Sequence, residues 1–148
     1  MLFRSGWGFV FNNEYGEPLV AAAGKLSHIA NSLQAEAYAM KYAIQEAARM
    51  GCVNIILETD AMNLKQAMIS DDMDDSELGA MFTEMKCIIR TSFKCCKIEW
   101  CSRSCNSVAH CLAAYGVSQE FGSYQLWLAP FPCIVKNLLA GVCPAYLV

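Results

Sequence analysis

The sequence is short of cations, has no apolar run of membrane length, and shows no internal repeat, linker or low-complexity stretch. Eleven Lys and Arg stand against 14 Asp and Glu, a net charge of -3 over 148 residues. That balance excludes a protein that coats a polyanion over its whole surface, so any nucleic-acid contact has to come from a local patch. The most apolar stretch, Leu126 to Val148, is interrupted by Pro130, Pro132, Lys136, Asn137 and Pro144. It falls short of the roughly 20 apolar residues that span a bilayer, so no membrane partner is expected. With 55% apolar and 17% charged residues, the composition also excludes a disordered polymer and suits a sizeable core.

Cysteine, by contrast, is plentiful. There are nine; the number is odd, Cys95 and Cys96 are adjacent, and no secretory leader precedes them. This pattern favours a reduced intracellular compartment, nuclear or cytoplasmic, over a disulfide framework. Cys101, Cys105, His110 and Cys111 lack the paired two-residue spacing of a zinc site, and Cys111 falls within an apolar helical pattern. Buried free thiols are the expectation.

Gly6 to Asn12 reads as a strand, because Trp7, Phe9, Val10 and Phe11 favour extended backbone and the following Asn12-Asn13-Glu14-Tyr15-Gly16 supplies turn chemistry. Pro18 to Leu26 is its hairpin partner. From Asn31 to Met50, Leu33, Ala37, Met40, Ile44 and Ala47 recur at helical spacing, with Asn31 and Gln34 placed as a reciprocal cap and Gly51 as the stop. Val53 to Leu57 is short and apolar, as in a strand covered on both faces, and Glu58-Thr59-Asp60 finish it. Ala61 to Ser70 predicts a short helix, Asp71 to Ser76 an acidic loop, and Leu78 to Thr91 a helix. Phe93 to Cys101 predicts a strand and Asn106 to Val117 a last helix. The order predicts an α/β fold, a mixed sheet with helices packed on it.

Asp60 is the leading candidate for chemistry, since it stands where a buried strand gives way to a helix, at the carboxyl end where α/β sheets hold ligands. Capping of the helix that starts at Ala61 is an equal alternative. Glu36, in the first turn of the long helix, would face the rim of the sheet, although alone it reads as a residue complementing the helix dipole. Asn106 and His110 lie one helical turn apart. Carboxylates gathered from such elements suit Mg²⁺, which takes oxygen ligands. Lys86, Arg90, Lys94, Lys97 and Arg103 form the one cationic cluster, either a phosphate-binding patch or a solvated face.

Four blocks, Gly6-Trp7-Gly8-Phe9-Val10, Gln34-Ala35-Glu36-Ala37-Tyr38-Ala39, Glu58-Thr59-Asp60-Ala61 and Asn106-Ser107-Val108-Ala109-His110-Cys111-Leu112-Ala113, resemble in order the plant ribonuclease H-like domain. This is the type found in retroelement reverse transcriptases, and the resemblance runs from about Gly6 to Gly116. It implies a mixed β-sheet flanked by helices and Mg²⁺-dependent hydrolysis of RNA in RNA-DNA hybrids at a two-ion site, with Mn²⁺ as a substitute. Glu36 and Asp60 match the family's helix glutamate and strand-end aspartate, the implied metal ligands and catalytic residues. His110 stands where the pattern Asn-x-x-Ala-Asp has its last carboxylate, and is expected to assist catalysis from the last helix together with Asn106.

The family's first aspartate lies on a strand preceding the Gly-Trp-Gly strand, and Met1 to Ser5 contain no carboxylate. The expected fold is therefore a ribonuclease H-like sheet lacking its first, central strand, as in a truncated or N-terminally incomplete product. Residues 1–117 would form the domain and residues 118–148 an apolar tail packed on it. The expected function is nucleic-acid association with an incomplete metal site. Lys86, Arg90, Lys94, Lys97, Arg103 and Asn106 would contact the nucleic acid. The alternative is an inactive, domesticated scaffold that binds nucleic acid or, through Phe121, Tyr124, Leu126, Trp127 and Phe131, protein.

Overall fold

In the computed structural model, residues 5–26, 31–120 and 124–141 are described. They form β1 (Ser5–Asn12), β2 (Pro18–Leu26), α1 (Ser32–Arg49), β3 (Asn54–Thr59), α2 (Met62–Ile69), α3 (Gly79–Ser92), β4 (Cys95–Trp100), α4 (Ser107–Val117), β5 (Tyr124–Leu128) and α5 (Cys133–Leu139). Met1 to Arg4, Phe121 and residues 142–148, on which parts of the N-terminal and tail expectations fall, lie outside the described residues. The chain divides into two compact units, one from its two ends and one from Glu36–Asn106.

The unit from the two ends is an antiparallel sheet in the order β1-β2-β5. Gly6 faces Lys25 and Val10 faces Ala21 in the β1-β2 register, and Val20 to Gly24 pair with Leu128 to Tyr124. Glycines on α4 and β1 explain how α4 comes so close to the strands. A side chain at Gly116 would collide with the Gly24 carbonyl, and one at Gly8 with Leu112. Ala21, Ala23, Leu112, Val135 and Leu138 form the core of this unit, with Trp127 against Tyr115 at 5.8 Å between ring centroids. The tail thus supplies a strand and a helix to the core here, and Trp127 is occupied by intramolecular packing.

The second unit is built on a parallel pair, β3-β4, in which Asn54 to Thr59 run alongside Cys95 to Trp100. Ile55, Leu57 and Thr59 take the covered face of β3, while Asn54, Ile56 and Glu58 are turned outward or toward the rim. Leu64, Ala67 and Met68 on α2 and Phe82 and Met85 on α3 are buried with Leu57 and Phe93. The α1 helix buries Ala37, Met40, Ile44 and Ala47 of the expected stripe together with Ala43, while Leu33 is half-buried. It begins where Asn31 Oδ1 accepts from the Gln34 amide at 2.9 Å. It ends at Gly51, whose φ of 76 favours glycine.

The expected mixed α/β fold is present, and among the described residues the strands form an antiparallel three-stranded sheet and a separate parallel pair. The cysteines differ from expectation. Cys87, Cys95, Cys105 and Cys133 are free but exposed rather than buried, and Cys111, buried at 2% exposure, is disulfide-bonded. Spacing alone cannot distinguish an apolar-face thiol from a bridged one. No helix among the described residues is long and apolar enough to cross a membrane.

Candidate functional site

The parallel pairing of β3 and β4 ends both strands side by side, with Thr59 opposite Trp100. Asp60 follows directly. The chain then turns into α2 because the Thr59 hydroxyl, on a residue 3% exposed, accepts from the Ala61 amide at 3.1 Å. The N-cap of α2 is Ala61, with no side-chain cap. The capping alternative for Asp60 is therefore not realised, because Asp60 sits one position too early.

Asp60 is half-buried and held from two directions. Asn106 Nδ2 donates to Asp60 Oδ1 at 3.3 Å, and Trp100 Nε1 donates to the Asp60 carbonyl at 3.2 Å. The loop between β4 and α4 that carries Asn106 is itself tied down. The Cys101 amide donates to the Thr59 carbonyl at 2.9 Å, and the Cys105 and Asn106 amides donate to the Ser102 carbonyl at 3.0 and 3.1 Å. Asn106 thus stands just before α4, with its side-chain amide committed to the carboxylate.

Glu36, half-buried on the first turns of α1, brings a carboxylate oxygen within 4.8 Å of one on Asp60. Two carboxylates this close present a hard oxygen donor set suited to a divalent cation, which would offset their mutual repulsion. Among the described residues no third carboxylate gathers with them. The negative field extends outward to Cys101, whose thiol is pushed up from its ordinary value by burial first, then by Glu58, Asp60 and Cys105. His110, the third expected catalytic residue, is half-buried on α4.

The cationic cluster separates into two groups. Lys86 lies on α3 and is only 16% exposed, with Nζ bound to the Ser70 carbonyl at 2.6 Å and to Asp74 at 2.8 Å. It fastens the acidic loop to α3. The acidic loop, read from sequence only as a loop, supplies the carboxylates that hold it. Arg90, Lys94, Lys97 and Arg103 are exposed.

Trp100 is the site residue that sequence reasoning passed over. It read only as part of a strand, and its bond to Asp60 joins residues 40 positions apart. The available signal was its place at the carboxyl end of a strand, where ligands gather in α/β sheets.

The family model described as reverse transcriptase-like matches residues 3–116. The crystal structure of RNase H1 from the halophilic archaeon Halobacterium salinarum NRC-1 is similar with a TM-score of 0.71 and 23% sequence identity, over 78% of this chain and 87% of that one. No curated protein matches the chain.

Proposed function

The chain belongs to the reverse transcriptase-like family and has a ribonuclease H-like fold, and from this premise we propose that it is a nucleic-acid-binding domain with a reduced divalent-metal site. The observation that carries the reading is the approach of Glu36 and Asp60 to within 4.8 Å. RNA-DNA hybrid is the proposed ligand, following the family resemblance of the four sequence blocks, and Mg²⁺ or Mn²⁺ the proposed ion.

Glu36 and Asp60 would hold the ion, leaving its remaining positions to water and to phosphate oxygens of the ligand. When bound, the ion supplies Lewis acidity toward a phosphodiester. Asn106 fixes the orientation of the Asp60 carboxylate, and the Trp100 bond fixes the backbone beneath it. Arg90, Lys94, Lys97 and Arg103 contact phosphates, a role in which position matters more than base identity.

His110 occupies the family's place for a carboxylate and brings no negative charge, so it offsets less of a cation's charge than aspartate does. Binding of the ion is accordingly weak and hydrolysis slow, because little remains to fix an attacking water in line with the scissile phosphate.

The test is a paired measurement on a labelled RNA-DNA hybrid, with Mn²⁺ binding followed by electron paramagnetic resonance and cleavage by gel. The expected result is hybrid binding with weak Mn²⁺ binding and slow cleavage. Asp60→Asn should abolish Mn²⁺ binding and cleavage while leaving metal-free hybrid binding in place. His110→Asp should tighten Mn²⁺ binding. Mn²⁺ binding indifferent to Asp60→Asn would remove the metal assignment, and absence of hybrid binding would remove the whole reading.

A further inference from the structure

Trp100 is 48% exposed at the end of β4, and it is the exposed aromatic residue among the described residues of the Glu36–Asn106 unit. An indole left half in water is usually accounted for by its one polar atom reaching solvent. Here that account fails, because Nε1 is turned to the Asp60 carbonyl at 3.2 Å. The polar edge is satisfied by the protein, and what faces water is apolar ring. The same bond holds the ring in one orientation, so ordering it costs little when something lies against it.

The charge around the ring narrows what that something is. Asp60, whose carbonyl holds the ring, follows directly on the end of β3, and its carboxylate stands within 4.8 Å of that of Glu36. A phosphate brought to this ground without a cation meets repulsion. An uncharged, flat, polarisable group does not, and the nucleobase is the part of a nucleic acid that fits this description.

We propose that Trp100 is a stacking platform for an unpaired nucleobase beside the Glu36-Asp60 pair, so that the domain takes a single-stranded segment of RNA or DNA at this point. The inference rests on the nucleic-acid-binding reading and adds to it both the contact and the strandedness of the ligand, since a base inside a duplex offers no free face. Stacking is tolerant of base identity, so the platform fixes position along a strand without reading its sequence. Arg103, exposed three residues along in the same tied loop, is suited to a neighbouring phosphate. The two contacts are separable by salt, because displacement of counterions accompanies phosphate binding and not stacking.

The test titrates the full chain with a single-stranded oligoribonucleotide and with an abasic strand of equal length and charge, following tryptophan fluorescence at several salt concentrations without added metal. Trp7 is buried and Trp127 is half-buried against Tyr115, and both contribute a background that remains in Trp100→Ala. The expected result is quenching by the base-bearing strand alone. Trp100→Ala should lose the quench and bind on the order of ten-fold more weakly, with the dependence of affinity on salt unchanged. Trp100→Phe, which keeps a ring and guards against a folding defect, should stay within about three-fold of the parent. Equal affinity for base-bearing and abasic strands, or Trp100→Ala binding as the parent does, overturns the platform. If the RNA-DNA hybrid still binds in that case, the wider reading survives; if neither hybrid nor single strand binds, both fall together.

Discussion

Asn106 and Cys101 report on the same carboxylate in different ways, and each supports a measurement. The Asn106 amide meets Asp60 Oδ1 at 3.3 Å, a contact that selects one orientation of a side chain otherwise free to rotate. Groups that orient metal-binding side chains typically cost 10- to 100-fold in affinity when removed. Asn106→Ala is therefore expected to weaken Mn²⁺ binding on the order of ten-fold, with little change in thermal unfolding of the metal-free chain, since the contact is only partly buried. Cys101 senses the field instead. Burial, Glu58, Asp60 and Cys105 all disfavour its thiolate, and the thiolate is the reactive form. Its alkylation, followed by peptide mass spectrometry, should stay slow at neutral pH and rise only at more alkaline pH than for an ordinary thiol. Glu58→Gln removes one of the raising charges, so it should move that rise toward lower pH.

At the scale of elements, the contact between α4 and the strands depends on residues without side chains. A Cβ on Gly116 would run into the Gly24 carbonyl, and backbone cannot swing aside as a flexible side chain does. Gly116→Ala is expected to lower stability by about 1–3 kcal/mol, as overpacking of a close contact generally does, read as a lower midpoint in thermal unfolding. Most elements were legible in the sequence for the reason that makes this contact work: the local pattern already encodes them. The apolar stripe of α1, its Asn31 cap and its Gly51 stop are local features, and β2 begins and ends where Pro18 and Leu26 mark it. The helix expected over Ala61 to Ser70 runs over Met62–Ile69, with Ala61 and Ser70 as its extended caps and the hydroxyl of Thr59 taking the Ala61 amide. What the sequence did not carry was pairing. That the strands form a sheet of three and a sheet of two depends on hydrogen bonds between residues far apart in the chain, which no local period records.

The candidate site divides along the same line. Asp60 and Glu36 were legible because strand ends and first helical turns are marked by residues near them, and the four-block resemblance then assigned them a shared role. Asn106 was named as a site residue, but its bond to Asp60 was not legible and Trp100 was not named, since the two reach Asp60 across 46 and 40 positions. The tie of Lys86 to Asp74 was not legible because a cation count treats every charge on a helix alike, while Asp74 lies 12 residues before it in a loop whose path the sequence does not give.

Over the whole molecule, a net charge of -3 means that binding to a polyanion depends on a few cations outweighing a repulsive background. Arg90, Lys94, Lys97 and Arg103 are the exposed members of the cluster, and each phosphate neutralised on a duplex contributes about -0.9 to the slope of log affinity against log salt. With four contacts at most, the slope should be no steeper than about -3.6. Replacing Lys97 or Arg103 with Gln should flatten it by up to about 0.9 each. Lys86→Ala should behave differently, because its ammonium is bound to Asp74 and to the Ser70 carbonyl. Removing it strands a partly buried carboxylate and is expected to cost about 1–2 kcal/mol of stability, while the salt slope of the folded chain stays as it was. Hybrid binding measured between low and moderate salt, beside thermal unfolding of the same variants, separates the two outcomes. A slope that flattens with Lys86→Ala as much as with Lys97→Gln would mean that α3 surrenders its tie to the acidic loop when nucleic acid binds.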